Sequence, residues 1–462
     1  MDLRISGFEV FKHHVHITYQ LDDYGFETKI IYPTVDLLKL SVDYPADQIE
    51  SIFASIAFFE GFKYCLVFPD KYDVSAIAST LPESAVKAFE KWFPYAWSQH
   101  LFENKRFDYK GPKVISSAAL KTVDTPCAIK QPKDKVLACN GGGKDSFVMM
   151  RMLQEAGFEY DSYQFARTEY GKLRTQQDLM DLNASPLQPA QSHRISVYDD
   201  FTDGMFANIY WPQVGGESTT GNPCQVGTPE GMFEAIPVCL AHGIPYIAVG
   251  NEKSADEGSL YSEELGHQVN HQWIKSLDAE TQFSQFIAGA LVSDIEYFSA
   301  LKPMQDTRIY QLFSDSPEAL TTIHSCNIEK PWCKKCPKCA YVWANLAAVF
   351  DYDAVFDVFK INLLDDPDLI LSFRQLLGLE NQNAFECVGE IHETRLAFKK
   401  LYEKGIAGKA MDIFIAEVLP NMGDDYWTQT AQKYLAVDDK NHHIPDHIFS
   451  RIYGSERLKK TA

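Results

Sequence analysis

Short strand-like runs of apolar residues fall at positions 8–10, 15–21 and 26–31. A helical pattern follows over 45–62, with Ile49, Ile52, Phe53, Ile56 and Ala57 spaced to form one buried face. A second, aromatic-rich helical stretch covers 83–103, and Pro94 inside it is expected to kink or divide it. These features predict an N-terminal α+β domain over 1–125. The polar, proline-containing stretch that ends it (KTVDTPCAIKQPKDK) reads as a linker.

From Lys135 the rhythm becomes strand, loop and helix. Strands are expected at 136–139, 161–166, 193–197 and 244–249, with helices over 146–156 and 229–242. Alternation of this kind predicts an α/β, doubly wound parallel-sheet domain over 133–325, with ligands at the carboxyl ends of its strands. The remainder, 326–462, opens with a cysteine cluster and is otherwise helical by pattern, notably at 340–350, 367–377, 397–403 and 410–418.

A hydrophobic fraction of 45% with 23% charged residues suits a globular protein. The formal net charge of -20 leaves no basic footprint for wrapping nucleic acid. No apolar run of signal-peptide or membrane-spanning length is visible, so no membrane partner and a reducing, cytoplasmic location are expected. The cysteines agree: of ten, six are scattered singly, whereas Cys326, Cys333, Cys336 and Cys339 crowd into fourteen residues. Clustering of that kind points to metal rather than to disulfides. The spacing suits a tetrahedral zinc and leaves an iron–sulfur cluster or free thiols as alternatives.

The candidate chemistry centres on residues 140–146, NGGGKDS. Three glycines after a strand let backbone approach an anion, and the helix that follows offers free N–H groups and the positive end of its dipole. The spacing is neither a Walker loop nor a dinucleotide fingerprint. The loop resembles the SGGxDS signature of the PP-loop ATP pyrophosphatases, with Gly141 at the place of the first serine. The resemblance implies an adenine nucleotide alpha hydrolase-like fold and ATP cut between its α and β phosphates. Gly142, Gly143 and Ser146 would hold phosphates, Asn140, Gly141 and Lys144 would complete the loop, and Asp145 would help position magnesium or the loop itself. The cysteine layout is similar to that of the 7-cyano-7-deazaguanine synthase family, which implies a closed, structural zinc site.

Four further segments narrow the match: HLFENKRFDY at 100–109, the Gly250-Asn251-Glu252 loop, VNHQWIKSLDAE at 269–280, and CVGEIHETRLA at 387–397. Their order resembles the ATP-dependent epimerases of UDP-N-acetylmuramoyl-L-alanyl-L-glutamate. The resemblance implies inversion of the terminal L-glutamate of that UDP-linked muramoyl dipeptide through a carboxyl adenylate, with release of AMP and diphosphate. Adenylation is chemically apt, because neutralising the carboxylate makes the neighbouring Cα proton removable by a side-chain base.

Candidates for that chemistry are His271 and Lys275, four apart and on one face if the segment is helical, and Glu252, at a strand end as base or magnesium ligand. Arg167, after the second strand, could touch nucleotide or substrate anion. Cys139 and Cys224 are possible thiol bases, whereas Glu390 and Glu393 read as solvent-facing. Other adenylating chemistry (amide, nitrile or thiol-forming) and a non-catalytic nucleotide-binding protein are the competing readings.

Overall fold

The computed structural model describes residues 1–203 and 227–455. Its centre is a ten-stranded sheet in the order β12-β9-β6-β7-β8-β3-β2-β1-β4-β5. The strands are β1 (Asp2–Val10), β2 (His14–Leu21), β3 (Tyr24–Ile31), β4 (Lys71–Asp73), β5 (Lys113–Ile115), β6 (Lys135–Cys139), β7 (Glu159–Arg167), β8 (Ser192–Asp199), β9 (Tyr246–Val249) and β12 (Glu296–Ser299). A separate two-stranded ribbon pairs β10 (Leu260–Ser262) with β11 (His267–Val269).

Strands β12, β9, β6, β7 and β8 run parallel to one another. Numbered in chain order and read across the sheet from β8 to β12, these five strands run 3-2-1-4-5, so connections leave β6 toward one side and return to the other. That reversal lies between β6 and β9, and it opens a crevice where ligands of doubly wound sheets bind. Within β6, Val136 and Ala138 pack into one core while Leu137 and Cys139 face the other, so the sheet is buried on both sides. Helix α2 (Lys144–Glu155) contributes Phe147, Val148 and Met149 to the first core. Helices α1 (Ala46–Glu60) and α3 (Gly227–His242) cover the second.

The N-terminal strands belong to the same sheet. β3 joins β8 antiparallel, from Thr28 opposite Asp199 to Ile31 opposite Ser196. The expected boundary at 125–133 therefore separates stretches of chain that share one sheet and one core. At this junction the Lys63 ammonium meets Glu60 at 2.8 Å, Asp199 at 2.7 Å and Glu169 at 3.1 Å, all buried. Sequence pattern did not signal β4, β5 or β12, which are short and take their partners from distant chain. Pro94 lies inside Glu83–Ala96, and a second helix, Ser98–Glu103, starts after Trp97, so the stretch is divided as expected.

Beyond the sheet, α4 (Pro337–Val349) and α5 (Ile391–Glu403) form the centre of a helical region. Among the described residues no helix is long and apolar enough to cross a membrane.

Candidate functional site

The loops leaving β6 and β9 meet over the crevice. Asn140 is fully buried and shapes the first: its Oδ1 accepts from Gly142 N at 2.8 Å, while its Nδ2 donates to the Met180 carbonyl at 3.0 Å. Gly142 has φ +78°, and an added Cβ there would collide with the His324 ring. Gly143 caps α2, whose first-turn N–H groups have no intrahelical acceptor. Gly250 lets the second loop pass close by, since a Cβ on it would sit 3.0 Å from the Asp145 backbone. Ser299, the last residue of β12, anchors that loop by donating to the Asn251 carbonyl at 2.6 Å.

A cavity of about 930 Å³, open to solvent, lies against these loops. Gly141, Gly143, Asp145, Ser146, Gly250 and Asn251 line it, together with Lys275, Lys330 and Lys338. Three lysines and a helix N-terminus lining one cavity favour a positive local potential on an acidic protein. Beside it, Asp145 and Glu252 titrate apart. Burial pushes the Asp145 carboxyl up, and Glu252 adds to that against Lys144. Burial also opposes the charge on Glu252, but Lys275, Lys144 and Lys338 outweigh it and hold that carboxyl below its usual range. Carboxylates are the ligand type that magnesium takes, so these two acids are the ones here that could hold it.

Several sequence candidates take other places. Lys144 lies buried on the far side of the loop, ion-paired to Asp145 and Asp306 with its ammonium 4.4 Å from the Tyr310 ring centre. Arg167 is not brought to the cavity. Its guanidinium pairs with Glu60 and, at 2.6 Å, with Glu234, inside the buried junction. His271 and Lys275 do not share a helix. Asn270 Oδ1 accepts from Gln272 N at 2.7 Å and turns the chain, and helix Leu277–Phe286 begins only after Ser276 caps it. Glu393 does not face solvent: it is fully buried and accepts from Thr307 N at 2.7 Å and Glu390 N at 2.9 Å. Cys139 lines the cavity as a thiol that burial pushes up to about 12, and Cys224 lies outside the described residues.

Two residues escaped the sequence reading. Lys302, fully buried, donates to the carbonyls of Glu252 and Lys275, each at 2.9 Å, and so ties the β9 loop to the Lys275 turn. Nothing in its sequence context marks it. Cys387 lines the cavity beside Lys275, and as a lone cysteine it carries no local signal of that place.

The four clustered cysteines converge as expected. Their sulfurs all lie within 4.8 Å of one another, with Cys326 to Cys336 at 3.9 Å and Cys333 to Cys339 at 3.8 Å. A tetrahedron with zinc–sulfur bonds of about 2.3 Å has edges of roughly 3.8 Å. Backbone N–H groups of Ile328, Glu329 and Cys333 point at Cys326 Sγ at 3.4 Å, which favours thiolate ligands. With four protein sulfurs no position remains for water, so the site is suited to structure and not to turnover.

Fold and site together define an α/β protein with a glycine loop at the switch point of the parallel part of its sheet and, in the region that follows, four cysteines placed so that they could hold a metal. Residues 321–433 match the MurL C-terminal domain and residues 233–300 match the MurL N-terminal domain. The chain is 27% identical over 319 residues to the UDP-N-acetyl-alpha-D-muramoyl-L-alanyl-L-glutamate epimerase of Micromonospora sp., covering 67% of this chain and 66% of that protein. Proteins of the same name from Salinispora tropica (32% identical, 37% of this chain and 38% of the relative) and Xanthomonas oryzae pv. oryzae (28%, 46% and 49%) are also similar. Both domain models and all three relatives thus support the MurL family. The matches span about two thirds of the first relative and less than half of the other two. No solved structure matches it significantly.

Proposed function

We propose that this chain inverts the terminal L-glutamate of UDP-N-acetylmuramoyl-L-alanyl-L-glutamate, using ATP to adenylate the carboxylate next to the inverted carbon. The observation that carries the reading is a cavity lined by a helix N-terminus, Lys275, Lys330, Lys338 and Cys387, with a ring nitrogen of His271 within 4.8 Å of the Cys387 sulfur. The relatives' names supply the substrate.

In this reading ATP lies with its phosphates on Gly141, Gly142, Gly143 and Ser146. A substrate carboxylate oxygen attacks the α phosphorus, the bond to diphosphate breaks, and an acyl adenylate forms. Lys275 balances charge on the carboxylate and the departing phosphates, with Lys330 and Lys338 in support. Asp145 and Glu252 are the residues that would hold magnesium, which neutralises phosphate charge when bound. The four cysteines would hold zinc. Adenylation removes the negative charge that makes the Cα proton so weakly acidic. Proton removal at the His271 end leaves an enolate, protonation from the opposite face inverts the centre, and hydrolysis releases AMP.

The test is AMP release from ATP with the L,L-dipeptide precursor, alongside deuterium entry at the glutamyl Cα in D2O. Both are expected. AMP formation without deuterium entry would overturn the epimerase reading in favour of a coupling reaction.

A further inference from the structure

The cavity of the glycine loop shares a wall with a second one of about 680 Å³, and the wall is built from two segments distant in sequence. Cys387 faces the first cavity, while His271 and Glu386 face the second. A ring nitrogen of His271, the sulfur of Cys387 and a carboxylate oxygen of Glu386 all lie within 4.8 Å of one another. His271 is oriented from the other side: its Nδ1 donates to Gln99 Oε1 at 2.5 Å, so Nε2 is the nitrogen left to exchange a proton with the thiol. Lys338 fixes the Cys387 backbone by donating to its carbonyl.

This wall is where a substrate must be held if its carboxylate is activated over the glycine loop and its body extends elsewhere. We propose that Cys387 is the catalytic base of the reaction, taking the glutamyl Cα proton, with His271 as its proton partner. This rests on the epimerase reading given above. The proton passes from Cα to Sγ while the C–H electron pair enters the acyl group as an enolate. The pair then returns to Cα and takes a solvent-derived proton on the opposite face. The proton on Cys387 leaves through His271 to solvent, which restores the thiolate.

The electrostatics of the wall support this. Burial works to raise the Cys387 thiol, but Lys275, His271 and Lys338 outweigh it and bring it down to about 6. Burial likewise opposes charge on His271, yet Cys387 and Glu386 overcome both that and the repulsion from Lys275, raising the imidazole above its usual value. The groups facing the sulfur are thus three cations (Lys275, Lys338 and the imidazolium) with Glu386 on the rim and Glu252 beyond Lys275. Cys139 offers no equivalent, since burial keeps it protonated. A thiolate at neutral pH, poised near the operating pH and partly shielded from water, is suited to proton abstraction.

The experiment separates activation from proton transfer. In Cys387→Ser, dipeptide-dependent exchange of pyrophosphate into ATP is expected to stay within about threefold of wild type, while deuterium entry at Cα falls at least a hundredfold. Retained deuterium entry overturns the proposal, and so does equal loss of both activities in a variant with wild-type unfolding. His271→Asn serves as the second variant, with the same split expected. A readout independent of substrate is the pH profile of iodoacetamide alkylation at Cys387 in the wild-type chain, followed by peptide mass spectrometry. An inflection near 6, moving upward in His271→Asn, is expected; one at the ordinary thiol value overturns the thiolate. If wild type shows no dipeptide-dependent exchange, the epimerase reading fails, and with it the proton-transfer role; the alkylation profile then still decides the thiolate.

Discussion

Replacing Gly142 by alanine isolates the two demands that the loop makes on its backbone. At φ +78° the residue sits in the left-handed region, which costs a residue with a Cβ about 1–2 kcal/mol. The new methyl would also press on the ring of His324, a residue that is almost fully buried and whose backbone N–H donates to the Gly142 carbonyl at 2.9 Å. Overpacking of that kind adds about 1–3 kcal/mol. The sum is about 2–5 kcal/mol. With an unfolding entropy of about 2.1 cal/mol/K per residue, a cooperative unit of 462 residues carries about 1 kcal/mol/K. The thermal midpoint is therefore expected to fall by about 2–5 °C, read by scanning calorimetry or fluorimetry. Gly141 provides the control. A Cβ there meets nothing within 4 Å and its φ is not positive, so Gly141→Ala should be neutral or gain up to about 1 kcal/mol. Because Gly141 lines the cavity, the same change should weaken nucleotide binding about tenfold, measured by titration calorimetry. A Gly142→Ala protein that melts with wild type, or a Gly141→Ala protein that falls as far, would refute the reasoning.

Three further outcomes follow from the buried charges and the cysteines. Arg167→Ala removes the buried cation between Glu60 and Glu234, leaving Glu60 with Lys63 alone, and should destabilise by about 3–5 kcal/mol in denaturant titration. Nucleotide affinity of the folded variant should not change, and lost affinity at wild-type stability would return Arg167 to the site. Glu280 is pushed by burial from 4.5 to about 7, against the pull of Lys302, so the folded chain binds more protons than the unfolded one between those values. Stability should then fall as pH rises across that window, by on the order of 3 kcal/mol for 2.5 units at 1.36 kcal/mol each. Glu280→Gln should flatten this slope between pH 4.5 and 7, and an unchanged slope would contradict the assignment. Elemental analysis should find one zinc per chain, lost with a falling thermal midpoint in Cys336→Ser; a metal-free wild type with the same midpoint would exclude a structural metal.

Much of the scaffold was legible because local signals and tertiary demands agree. The strands at 136–139 and 193–197 lie within β6 and β8, and the helix expected over 45–62 is α1 at Ala46–Glu60. The glycine loop and the cysteine cluster were equally legible, since each is contiguous and its chemistry depends on spacing within a few residues. Short edge strands were not, because β4 and β5 have three residues each and exist only through pairing with β1 and with each other.

Single residues divide along the same line. Sequence by itself determined a glycine loop before a helix, four thiols able to meet one metal, and an alternating α/β order. Only the tertiary structure decided which charges face that loop. Strand order brings β9 beside β6 and so sets Gly250 against Asp145. Arg167, plausible at the end of β7, is drawn instead into the junction by Glu60 and Glu234, because a buried guanidinium is stable only where carboxylates surround it. Cys387, a lone cysteine in sequence, gains its thiolate character from Lys275 and His271, more than a hundred residues upstream. Charge–charge interactions act through space across a folded interior, and their partners are set by chain packing that no local pattern records.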